Sequence, residues 1–132
     1  MEKSNIVHFT RKEEPEEGIL YLVGTPIGNI SDISIRAINI LNNIDFLACE
    51  DTRRTGKLLK ILNINKKLIS FHNFNEKKRI SEILKFLDDK KKVALVSDAG
   101  LPIISDPGEY LVKEIRNKGY EVICIPGPCA AL

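Results

Sequence analysis

The chain has 132 residues, 43% apolar and 29% charged, with a net charge of +2, which fits one domain with an adequate core and the composition of an ordinary soluble globular protein. No apolar run approaches the ~20 residues of a membrane span, and the N-terminal stretch is charged where a signal peptide carries an apolar segment. Cys49, Cys124 and Cys129 are odd in number and lack metal-ligand spacing, so reduced thiols in a cytoplasmic setting are expected rather than a disulfide framework.

Residues 1–17 contain R-K-E-E-P-E-E with little apolar periodicity and read as a flexible tail; residues 18–132 read as the folded unit. I-L-Y-L-V (19–23) is the first predicted strand, followed by the loop G-T-P-I-G-N (24–29). Ser31 or Asp32 is placed to cap a helix whose apolar face includes Ile33, Ala37, Ile40 and Leu41. I-D-F-L-A-C (44–49) is strand two, and E-D-T-R-R-T leads into a helix around Lys57 to Leu62. L-I-S-F-H (68–72) is strand three. Ile80, Ile83, Leu84 and Leu87 then recur at i, i+3, i+4, i+7, which predicts an amphipathic helix. V-A-L-V-S (93–97) is strand four, and Asp106 with Pro107 marks the start of a further helix that turns Leu111 and Ile115 inward and ends at Gly119. E-V-I-C-I (121–125) is strand five, and P-G-P-C-A-A-L follows. Apolar strands alternating with helices predict an α/β fold: a mostly parallel five-stranded sheet with helices on both faces.

In such a sheet, ligands bind outside the carboxyl ends of the strands. Each of those ends carries marked residues: Gly24, Thr25, Pro26 and Gly28; Glu50, Asp51, Thr52, Arg53 and Arg54; His72, Asn75 and Glu76; Asp98 to Gly108; and Pro126, Gly127 and Pro128. Taken singly, these are a tight turn, helix caps and a hydrogen-bonded loop histidine. Neither a Walker loop nor G-x-G-x-x-G is present. Their coincidence on one edge of a parallel sheet is what points to a shared pocket. Charge is also uneven: residues 53–92 hold thirteen Lys and Arg against four acids, a net +9, leaving −7 elsewhere. That segment reads either as a solvated helical surface or as a footprint for a polyanion such as RNA.

Five stretches carry a resemblance: L-Y-L-V-G-T-P-I-G-N-I-S-D-I-S-I-R-A, C-E-D-T-R-R-T, I-S-F-H-N-F-N-E, V-A-L-V-S-D-A-G-L-P-I-I-S-D-P-G and I-P-G-P-C-A-A. In this order they resemble the tetrapyrrole methylase superfamily and, within it, the branch that methylates ribose 2′-hydroxyls of small-subunit ribosomal RNA. The chain departs from the usual pattern at Leu101, where Thr is common, at Ile103, where many members have Gly, and at Cys129, where P-G-P is followed by Ser.

The resemblance implies the N-terminal domain of a two-domain fold, with the C-terminal domain absent from this sequence, and S-adenosyl-L-methionine as methyl donor. It implies methylation of a cytidine in small-subunit ribosomal RNA and a homodimer in the complete protein; the lack of a long apolar run adds the expectation of no membrane partner. Donor binding would involve Pro26, Asp98, Gly100, Ile103, Asp106, Pro126, Gly127, Cys129 and Ala130. Glu50, Asp51 or His72 would take the ribose proton or orient its hydroxyl, and Arg53 and Arg54 would meet phosphates. Two other readings remain: a methylase of a tetrapyrrole or other small molecule, and a non-catalytic RNA-binding or dimerisation module.

Overall fold

Six consecutive buried residues, Ile19–Gly24, form the interior strand β1. In the computed structural model, which describes residues 15–25, 32–97, 103–104, 108–125 and 130–131, β1 is hydrogen-bonded on both sides. Leu22 pairs with Leu95 of β4 (Val93–Ser97) and with Cys124 of β6 (Glu121–Ile125). Strand β2 (Phe46–Cys49) lies on the other side of β4, and β3 (Leu68–Ser70) lies outside β2. Every pairing in this five-stranded sheet is parallel, in the order β3-β2-β4-β1-β6. The expected α/β class and five-stranded sheet are therefore observed.

Side chains alternate across a strand, so a strand buried on both faces must be apolar throughout. Ile19, Tyr21 and Val23 enter one core layer together with α1 (Ile35–Asn43) and α2 (Thr52–Ile61), through Ala37, Ile40, Leu41 and Leu59. Leu20 and Leu22 enter the opposite layer with α3 (Glu76–Asp88) and α4 (Gly108–Asn117), through Ile80, Ile83, Leu87, Leu111, Val112 and Ile115. Phe46 and Phe86 stack in that second layer, ring centroids 3.8 Å apart.

Boundaries differ from expectation where polar groups intervene. The α1 cap is Ser34, whose hydroxyl accepts the Ala37 N–H at 3.0 Å, rather than Asp32; Ser31 lies outside the described residues. Ile33 packs on the core just ahead of that cap. β2 starts at Phe46 because Ile44 still closes α1, and Asp45 receives the Lys92 N–H on its carboxylate at 2.8 Å. α2 starts at Thr52, five residues ahead of Lys57, because Asp51 caps it. Cys49 is a buried thiol outside any disulfide, whereas Cys124 is disulfide-bonded, so the expectation of reduced thiols holds at the first and fails at the second. Pro15 is buried and the Glu16 N–H donates to the Tyr21 hydroxyl at 2.8 Å, so the end of the segment expected to be a tail is attached to the sheet. The expected Asp106–Pro107 cap of α4 lies outside the described residues.

Two further strands, β5 (Ile103–Ile104) and β7 (Ala130–Ala131), pair in parallel, Ile103 with Ala130 and Ile104 with Ala131. No helix among the described residues is long and apolar enough to cross a membrane.

Candidate active site

Because the large sheet is wholly parallel, the carboxyl ends of its five strands lie on one rim. β2 leads through α2 outward to β3, while its neighbour β4 leads the other way, through α4 to β6. Adjacent strands whose connections diverge onto opposite faces leave a crevice between their loops, the usual ligand position in such sheets. The crevice here is bordered by Glu50 and Asp51 after β2 and by the carboxyl end of β4 at Ser97.

At the β1 end, the Thr25 backbone N–H and hydroxyl both donate to the Ser97 carbonyl, at 2.8 and 3.0 Å. Thr25 is buried, so its polar atoms are satisfied inside the protein rather than offered to a ligand. At the β2 end, Glu50 and Asp51 are both exposed. Asp51 Oδ1 accepts the backbone N–H groups of Arg53 and Arg54 at 3.0 and 3.1 Å. The Arg54 N–H bond is the chief cause of a carboxyl held below its ordinary 3.8, with the Arg53 N–H and the two guanidinium charges adding to it.

β3 exits beside β2, since Cys49 pairs with Ser70 and the Phe71 N–H donates to the Cys49 carbonyl at 2.8 Å. This sets His72 on the segment adjoining Glu50. His72 is held by its neighbours: its N–H donates to Asn75 Oδ1 at 2.9 Å, and its Nδ1 accepts the Phe74 N–H at 3.2 Å. Its Nε2 lies 3.3 Å from Asn75 Nδ2. A neutral imidazole accepts at only one nitrogen, so only one of the two ring contacts is a hydrogen bond at a time. Asn75 Nδ2 also donates to the Ser70 hydroxyl at 3.1 Å, and Arg79 Nε donates to the Ser70 carbonyl at 2.8 Å while its guanidinium pairs with Glu82. Asn75 and Arg79 thus build the β3 corner. Asn75 was legible as part of H-N-F-N, whereas Arg79 read only as one more helical lysine-like charge.

Of the expected donor-binding residues, Ile103 and Ala130 are placed directly opposite each other by the β5–β7 pairing. That pairing joins the segment after β4 to the segment after β6. Pro26, Asp98, Gly100, Asp106, Pro126, Gly127 and Cys129 lie outside the described residues. Glu76, at the first position of α3, has a buried carboxylate oxygen, Oε2, with no hydrogen-bond partner; it was noted in the sequence but given no role. No cluster of metal-ligating side chains occurs among the described residues.

Parallel strands with helices on both faces, a divergent β2–β4 crevice and a polar rim define an α/β ligand-binding domain. Residues 19–132 match the tetrapyrrole (corrin/porphyrin) methylases, and the chain belongs to that family. It is 56% identical over 113 residues to the ribosomal RNA small subunit methyltransferase I of Thermotoga maritima, covering 86% of this chain and 51% of that protein. It is 47% identical over 116 residues to the protein of the same name from Escherichia coli O157:H7, covering 88% and 41%. The crystal structure of uroporphyrin-III-C-methyltransferase from Thermus thermophilus shares the fold, with a TM-score of 0.65 at 18% identity over 86% of this chain and 48% of that one. The chain therefore spans about half or less of the length of these relatives.

Proposed function

We propose that this domain forms one wall of an S-adenosyl-L-methionine-dependent methyltransferase acting on a ribose 2′-hydroxyl of a cytidine in small-subunit ribosomal RNA. The observation that carries this reading is the convergence of the β2, β3, β4 and β6 exits on one rim in a chain 56% identical to a protein named for ribosomal RNA methylation. In the complete protein a second domain would follow the P-G-P segment and close the cleft, and two copies would form a homodimer.

The described rim fits such a donor. Its strand ends are small at Gly24 and Ser97, Thr25 keeps its polar atoms on the Ser97 carbonyl, and the Ile103–Ala130 pairing sets two candidate segments side by side. Asp98 and Asp106 supply carboxylates for ammonium or hydroxyl groups. Gly100, Gly127, Ile103, Cys129 and Ala130 supply backbone, and Pro26 and Pro126 supply stiff walls. When bound, the donor provides a methyl group on a cationic sulfur.

Transfer forms an oxygen–carbon bond as the carbon–sulfur bond breaks, and the hydroxyl proton leaves to a base. Asp51 is a poor proton acceptor, since its carboxylate is held ionised by two amides. It instead orients the first turn of α2 and so Arg53 and Arg54. Proton removal then falls to Glu50 or His72, which stand on adjoining segments of the rim. Opposite charges cancel as the bond forms, so positioning and exclusion of water supply most of the acceleration.

Incubating the complete two-domain protein with small ribosomal subunits and methyl-labelled donor tests this. Label is expected on RNA, in a dinucleotide that resists alkaline hydrolysis because the 2′-oxygen is blocked. Label on a base, or on a tetrapyrrole-type acceptor with none on RNA, overturns the reading.

A further inference from the structure

Phe74 is 97% exposed, more than Ile35 (72%), Ile61 (67%) or Tyr110 (39%), the other large apolar side chains open to water among the described residues. It sits on the turn between β3 and α3, and that turn is tightly bonded. The Asn75 N–H donates to the His72 carbonyl at 3.1 Å, the His72 N–H to Asn75 Oδ1 at 2.9 Å, and the Phe74 N–H to His72 Nδ1 at 3.2 Å. The ring is therefore held out in water by a defined scaffold. It meets the His72 imidazole edge-on, at 6.0 Å and 67°, an arrangement that does not stack the Phe74 faces on its neighbour.

The surroundings are polar and cationic. Asn73, Lys77 and Lys78 are exposed around it in the chain, and exposed Arg53 and Arg54 stand at the neighbouring β2 exit. An apolar protein partner would favour further apolar side chains beside such an anchor; a nucleic acid favours an aromatic face bordered by cations. Sequence-specific RNA recognition also works largely on unstacked bases laid on aromatic rings.

We propose that Phe74 is a stacking platform for an unstacked nucleobase next to the nucleotide to be methylated, with Arg53 and Arg54 on the flanking phosphates. This rests on the ribosomal RNA reading above. The platform gives specificity for single-stranded over duplex RNA, and the arginines give charge-driven affinity.

The test is binding of a short single-stranded RNA, and of its duplex, to the wild-type protein and to Phe74→Ala, Phe74→Leu, Phe74→Trp and Arg53→Ala/Arg54→Ala. Loss of one stacked base weakens binding by about tenfold. That loss is expected for Phe74→Ala and Phe74→Leu on the single strand, with the salt slope unchanged, and wild-type affinity is expected for Phe74→Trp. Unchanged binding of both Phe74→Ala and Phe74→Leu, while the arginine variant weakens, overturns the platform and leaves the RNA reading standing. Equal losses in all three Phe74 variants, or equal losses on duplex, also overturn it, because they mark a structural role. No RNA binding by the wild-type protein overturns both.

Discussion

Asp51 illustrates how the backbone reassigns a residue that the sequence offers for catalysis. One carboxylate oxygen takes two amide protons at the start of α2, so the residue is a helix cap before it is anything else. Its carboxyl is lowered on folding, so it stabilises the fold at pH values above its unfolded pKa, and that contribution is lost as pH falls through the lower folded value. Asp51→Ala should lower the melting temperature at neutral pH. Asp51→Asn should keep most of the cap and remove part of the acid-side loss. Thermal melts of the three proteins from pH 7 to the acid limit would check both. Asn75 ties the β3 corner together, its side chain reaching His72 N, Ser70 Oγ and the Ser70 carbonyl. Asn75→Ala should cost about 1–2 kcal/mol, read by urea denaturation. Asn75→Asp should fall between the two, since it keeps the acceptor and loses the donors.

Three helices finish the same way with three different residues. After α2, α3 and α4 the chain turns through a positive φ at Asn63 (57°), Lys90 (62°) and Gly119 (88°). In each case the following N–H reaches back five residues: Ile64 to Leu59, Lys91 to Phe86, and Tyr120 to Ile115. These are Schellman endings, whose turning residue favours glycine. Only Gly119 announces itself in the sequence; Lys90, inside K-K-K, reads as surface charge. Lys90→Gly should therefore raise stability by up to about 1 kcal/mol, since it relieves a left-handed conformation that costs a side chain 1–2 kcal/mol. Gly119→Ala should lower it by about 1–2 kcal/mol, with no steric clash involved, because nothing lies within 4 Å of the added carbon. Calorimetric melting of both variants would decide. The hydroxyl of Tyr120 donates to Asp88, tying the end of α3 to the start of β6.

The whole molecule divides the +9 segment in two. Helices that return between parallel strands begin at the carboxyl rim and end at the opposite edge, so Arg53, Arg54, Lys77 and Lys78 lie on the rim side. Lys60, Lys66, Lys67, Lys90, Lys91 and Lys92 lie at helix ends or strand starts on the far side. Arg79 is engaged with Ser70 and Glu82. The expectation that residues 53–92 extend one RNA-facing surface thus needs correction: only the rim-side cations adjoin the candidate site. Arg53→Ala/Arg54→Ala should weaken RNA binding and lower the slope of log K against log salt by about 1.4 to 1.8, two phosphate contacts at 0.7 to 0.9 each. Titrations at several salt concentrations would show it, and Lys66→Ala/Lys67→Ala should leave the affinity much closer to wild type.

Local chemistry made the five main strands, the faces of α1, α3 and α4 and the Gly119 stop readable from residues alone, because apolar periodicity and glycine conformation act within a few positions. The five polar loops were readable too, as was their common edge once the strands were taken as parallel. The tertiary structure alone decided the order β3-β2-β4-β1-β6, the divergence that opens a crevice beside β2 and β4, and the Ile103–Ala130 pairing. It also decided which cations share the rim and that Phe74 is held outward. Those outcomes depend on contacts between residues far apart in the chain, whose energies have no signature in any local stretch of it.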